Sequence, residues 1–193
     1  MNRRRVNTQS RRKPSREPRI RLLVVCGGRR TEPAYLYGLR HDNRNPAVIV
    51  KVATCPQDPY RVIEYAKKLR TQGGEDFDQV WCVLDVDQFD YTRALATAKR
   101  DNINLAISNP CFETWLLLHH VDLTASVRDA GAAVELLRQV IPGYDKAALD
   151  FSDFAGSVTL AVKRAKRLSS DESPLGGNPS SGMWRLAEII IAP

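Results

Sequence analysis

The sequence has little of several things, and each shortage narrows its chemistry. No apolar run approaches the roughly 18 residues of a membrane-spanning helix, and the N-terminus lacks the apolar stretch of a secretory signal. The four cysteines (Cys26, Cys55, Cys82 and Cys111) are too widely spaced for a CxxC metal or redox pair. Cys26 and Cys82 lie inside apolar runs, where a free thiol behaves as a small hydrophobe. A reducing, cytoplasmic location with no membrane partner is expected. The phosphate-binding pattern GxxxxGK[ST] and the dinucleotide fingerprint GxGxxG are both missing, and there is no internal repeat.

What is present is a chain of 193 residues with 43% hydrophobic and 26% charged side chains, the size and balance of one globular domain plus a tail. Its formal charge is +7, a footprint that suits a polyanionic partner such as nucleic acid. The excess is not spread evenly. Residues 1–21 carry nine basic side chains against one acid, whereas the other 172 carry 20 basic and 21 acidic. Residues 1–20 have no hydrophobic periodicity and read as a disordered basic arm. Its Arg3, Arg4, Arg5, Arg11, Arg12 and Lys13 are candidate nucleic-acid contacts, against the plainer role of a solubilising tail.

After the arm, strand and helix alternate. Residues 21–26 are almost continuously apolar, as a strand buried on both faces should be. Residues 48–53, 80–84 and 105–107 supply three more strands. Helices are expected over 31–44, opened by Thr31 as N-cap with Pro33 in the first turn, and over 59–72 and 91–102. Helices at 111–120, 130–141, 157–168 and 181–191 follow, with the Pro-, Gly- and Ser-rich stretch 169–179 between the last two. The pattern predicts an α/β fold: a mainly parallel four-stranded sheet flanked by helices, with a C-terminal helical extension. Residues 21–193 are expected to form one domain, 21–122 being the βα core and 123–193 the extension.

In an open parallel sheet, functional groups collect beyond the carboxyl ends of the strands. Four carboxylates fall there: Glu32, Asp85, Asp87 and Glu113. Asp85 and Asp87, two apart at a strand end, are expected on one face, where crowded acids need a cation or a proton. Hard oxygen ligands suit Mg²⁺ or Mn²⁺, while a merely solvated acidic loop is the alternative. Glu32 and Glu113 fall in first helical turns, where the helix dipole alone stabilises an acid. Arg29 and Arg30, in a Gly-Gly-Arg-Arg turn, are placed to meet a phosphate. Trp115 to Leu118 read as core, and His119 and His120 as dipole-stabilised residues at a helix end.

Three stretches together resemble the RloB-like proteins, found with anti-phage and restriction loci. They are Leu22 to Tyr35 (Leu-Leu-Val-Val-Cys-Gly-Gly-Arg-Arg-Thr-Glu-Pro-Ala-Tyr), Val83 to Asp87, and Ile107 to His119 around Ser-Asn-Pro-Cys-Phe-Glu-Thr-Trp-Leu. The basic arm and the closing Gly-Asn-Pro-Ser-Ser also fit. The resemblance implies a Toprim-like fold, in which a glutamate after the first strand works beside an Asp-x-Asp around Mg²⁺. It implies a nuclease-type role in phage defence with an ATPase partner of the AAA or ABC type. Asp85 and Asp87 match the acidic pair and metal ligands; Glu32 matches the family's Thr-Glu and Glu113 its Phe-Glu. The family usually reads Cys-Glu-Gly where this chain has Cys26-Gly27-Gly28, so Gly27 stands in the place of the expected glutamate.

Overall fold

A computed structural model describes residues 19–72, 74–86, 89–169 and 173–192. The elements run β1 (Ile20–Cys26), α1 (Thr31–Asn43), β2 (Val48–Thr54), α2 (Pro59–Gln72), β3 (Gln79–Asp85), α3 (Thr92–Arg100) and β4 (Asn104–Asn109). Then follow α4 (Phe112–Leu117), α5 (Ala130–Val140), α6 (Val158–Leu168), β5 (Ser180–Ser181) and α7 (Met183–Ile191), with two short 3₁₀ turns at Phe151–Asp153 and Ala155–Ser157. No helix among the described residues is long and apolar enough to cross a membrane.

The unbroken apolar run in β1 has a direct structural cause. Leu22 through Cys26 are wholly buried, and alternate side chains enter different layers. Leu22, Val24 and Cys26 pack on one face with α1, α4, α5, α6 and α7. Leu23 and Val25 pack on the other with α2 and α3. The C-terminal helices thus share the core that α1 builds against the sheet.

The sheet order is β2-β1-β3-β4-β5. The first four strands are parallel, as the alternating pattern predicts; β1 and β2 end together, Cys26 opposite Thr54, and β3 and β4 run two to three residues further, with Cys26 opposite Val83 and Asp85 opposite Ser108. The expected four-stranded sheet is corrected to five by antiparallel β5, which pairs Ser181 with Ser108 and Ser180 with Asn109. Two serines carry no apolar signal. They are held instead by the Ser108–Ser181 hydroxyl contact at 2.8 Å and by Gly182 N–H donating to the Ile107 carbonyl at 2.7 Å. A Cβ on Gly182 would stand 3.1 Å from the Ile107 nitrogen, so glycine permits this close approach.

Two local expectations also change. Thr31 is the first residue of α1 rather than its N-cap; Arg30 takes the cap position without a capping side-chain bond. The Thr31 hydroxyl donates instead to the Lys146 carbonyl, 3.1 Å away. His119 is not a charged residue at a helix end. It is buried among Tyr35, Trp115 and Phe154 and hydrogen-bonds the Tyr35 hydroxyl and the Trp115 carbonyl, each at 3.0 Å. Burial pushes its pKa down to about 3, so the ring is neutral.

Candidate functional site

The carboxyl ends of β1, β3 and β4 open onto one cavity of about 500 Å³. It is lined by the turn from Gly27 to Glu32, by Leu84 and Asp85 of β3, by Phe112 and Glu113 of α4, and by residues 145–147 beyond α5. Parallel strands ending on one edge bring these sequence-distant groups together, as the strand-end rule requires.

Glu32 sits in the first turn of α1 and is 6% exposed. Its carboxylate folds back over Gly28, where a Cβ on any other residue would run into it. Burial raises its pKa; the backbone N–H groups of Glu32 and Gly28 oppose the rise, and the Glu113 charge adds to it. Asp85 ends β3, and its backbone carbonyl accepts a hydrogen bond from the Tyr91 hydroxyl. Burial holds its pKa well above the usual carboxylate range, and the charges of Glu32 and Glu113 push it further. Glu113 is fully buried because α4 sinks directly into the core after β4, every residue of the helix being buried.

The positive charge facing this cluster comes from a residue that no pattern marks. Lys146 places its ammonium 2.8 Å from Glu113 Oε1, and Tyr144 reaches the same oxygen at 3.5 Å. Burial pulls the Lys146 pKa down, but the hydrogen bond to Glu113 and the charges of Glu113 and Asp85 outweigh it and hold the pKa above its ordinary value. Lys146 also offsets the crowding felt by Glu32 and Asp85. Both Tyr144 and Lys146 lie in an irregular segment with no periodicity, more than 30 residues beyond Glu113. Local sequence offers no signal for that pairing.

Two oxygens of the cluster are left over. Asp85 Oδ1 and Glu113 Oε2 are buried and have no hydrogen-bond partner, an expensive condition for polar atoms. Among the described residues, no three acidic, thiol or imidazole side chains are gathered closely enough to hold a metal ion.

Of the residues singled out from sequence, Glu32, Asp85, Glu113, Arg29 and Arg30 all line the one cavity. Arg29 and Arg30 are exposed at its edge. Asp87 lies outside the described residues, as do Arg3, Arg4, Arg5, Arg11, Arg12 and Lys13. Gly27 also lines the cavity, with its N–H donating to the Val83 carbonyl at 2.9 Å. A Cβ there would meet Leu84 and Val83 at 3.4 Å, an ordinary contact, so the backbone admits a side chain at 27. The four cysteines are buried free thiols.

The family model for RloB-like proteins matches the chain over residues 22–190. No curated protein and no solved structure matches the chain.

Proposed function

The chain belongs to the RloB-like family, and on that premise we propose that it is a Toprim-like, Mg²⁺- or Mn²⁺-dependent phosphodiester-processing protein of a phage-defence module. The observation that carries this reading is the convergence of Glu32, Asp85 and Glu113, from three separate strand ends, on one cavity with two buried oxygens unpartnered. Lys146 pairs with Glu113, while the charges of Glu32 and Glu113 still bear on Asp85. The described carboxylates do not gather three ligands, but Mg²⁺ is usually held by one or two carboxylates together with a substrate phosphate, and hard oxygens of this kind suit it.

In this reading Asp85 and Glu113, whose buried oxygens lack partners, would hold the cation together with Asp87. The bound cation supplies Lewis acidity and an activated water. Glu32, whose raised pKa suits proton transfer, accepts the proton of the attacking water. Arg29 and Arg30 grip the phosphate at the cavity edge. The basic arm adds salt-sensitive affinity that is indifferent to base sequence. An ATPase partner of the AAA or ABC type supplies the trigger.

The test incubates the protein, with and without such an ATPase, with single- and double-stranded DNA and RNA plus Mg²⁺ or Mn²⁺. Asp85→Ala runs in parallel. Cleavage by the parent chain and its loss in the variant is the expected result. Equal cleavage by both removes the site assignment.

A second reading draws on Gly27. A glycine supplies no carboxylate, so a catalytically silent protein that binds nucleic acid or a nucleotide, or acts as a scaffold for the ATPase, uses the same cavity. Because the backbone admits a side chain at 27, Gly27→Glu separates the two. Cleavage that appears only in the variant favours the silent reading and identifies the missing group.

A further inference from the structure

The backbone of Lys146 is anchored in the cavity lining, and its side chain reaches Glu113 from a half-exposed position. The buried hydroxyl of Thr31 donates to the Lys146 carbonyl, and Tyr144, two residues earlier, reaches Glu113. The Lys146 side chain remains 55% exposed although its ammonium touches a carboxylate that is 0% exposed. The backbone is therefore fixed in the cavity lining, while more than half of the side-chain surface is open to solvent. With that ammonium on Glu113 Oε1, Glu113 Oε2 and Asp85 Oδ1 stay unpartnered.

We propose that Lys146 is a positioning residue that keeps the carboxylate cluster weak for divalent cations until a nucleic-acid phosphate draws its ammonium off Glu113. The inference rests on the phosphodiester reading above. A positive charge beside the cluster opposes the entry of another. A phosphate held at Arg29 and Arg30, on the same cavity, offers the ammonium a new charge-assisted partner. Cation loading is thereby coupled to the presence of the strand, and the unoccupied cluster does not scavenge cations on its own.

The experiment measures Mn²⁺ affinity by isothermal titration calorimetry on the full chain, with and without DNA or RNA oligonucleotides carrying phosphorothioate linkages that resist cleavage. Lys146→Gln keeps a hydrogen-bond donor for Glu113 but removes the charge, so the buried carboxylate stays partnered. Lys146→Arg keeps the charge and serves as the rescue. Lys146→Gln is expected to bind Mn²⁺ about tenfold tighter without oligonucleotide, the scale of one charge-assisted contact. Lys146→Arg is expected to match the parent. The oligonucleotide tightens Mn²⁺ binding to the parent and changes Lys146→Gln little. Unchanged or weaker binding in Lys146→Gln overturns the proposal and leaves the phosphodiester reading standing. If none of the three proteins binds Mn²⁺, with or without the oligonucleotide, the metal-dependent reading itself falls.

Discussion

Replacing Asp85 with asparagine should make the protein more stable. Asp85 Oδ1 is buried without a partner, and the carboxylate faces the charges of Glu32 and Glu113. Lys146 and the backbone N–H of Phe112 oppose that strain. An amide of the same shape removes one like charge and brings two N–H donors to neighbouring carboxylates. Relieving an unsatisfied buried polar group is worth about 1–3 kcal/mol. For a chain of this size about 1 kcal/mol moves Tm by about 2–4 °C, so a rise on the order of 5 °C is expected at pH 8. The pH dependence fixes the sign. Burial and like charges raise the folded-state pKa of Asp85, so the folded chain holds a proton that the unfolded chain releases near pH 4. Stability linked to this group is full below that pH and is lost as pH climbs through the raised folded value. The gain from Asp85→Asn should therefore be small near pH 4.5 and grow as pH climbs toward 8. Calorimetric melting of both proteins in EDTA from pH 4.5 to 8.5 isolates the effect as a difference curve. A variant less stable than the parent at pH 8, or a difference that does not change with pH, refutes the electrostatic account.

Gly28→Ala should push the Glu32 carboxylate out of the cluster; cleavage is expected to fall about 100-fold, the scale of a small misplacement, with Tm nearly unchanged, as paired kinetic and melting assays would show. The neutral, buried His119 has a lowered folded pKa, so stability linked to it is full above about pH 6.5 and lost as pH falls. His119→Phe should flatten that acid limb and cost about 1 kcal/mol at pH 7 for the lost Tyr35 bond; an unchanged acid limb in thermal melts would count against this. Deleting residues 1–20 should weaken oligonucleotide binding and flatten its salt dependence, each lost phosphate contact removing about 0.9 from the log–log slope on duplex DNA. A salt titration by fluorescence anisotropy decides, and an identical slope defeats the role given to the arm.

Much of the fold was legible because burial writes itself into composition. β1 and β3 lie inside a sheet covered on both faces, so nearly every position is apolar. β5 was not legible, since its serines are placed by pairing with β4 and carry no pattern of their own. The carboxylates were visible because a parallel sheet sends successive strand ends to one edge, whatever their distance in the chain. Lys146 was invisible for the opposite reason: an irregular segment crosses back over that edge, and only the folded chain shows where it lands. Thr31 illustrates the same limit. Its local role as a cap gave way to a partner 115 residues away.

The shared core has a bearing on how such a protein can be recombined. Residues 21–122 look like a portable module, with the sheet's four parallel strands and the carboxylates of Glu32, Asp85 and Glu113. Yet the ammonium that steadies those carboxylates, and much of the apolar cover on one sheet face, come from the other half. A crossover between two related genes near residue 122 would trade both at once. Lineages of this protein are therefore expected to inherit the two halves together, with variation at Lys146 tied to variation in the carboxylates it serves.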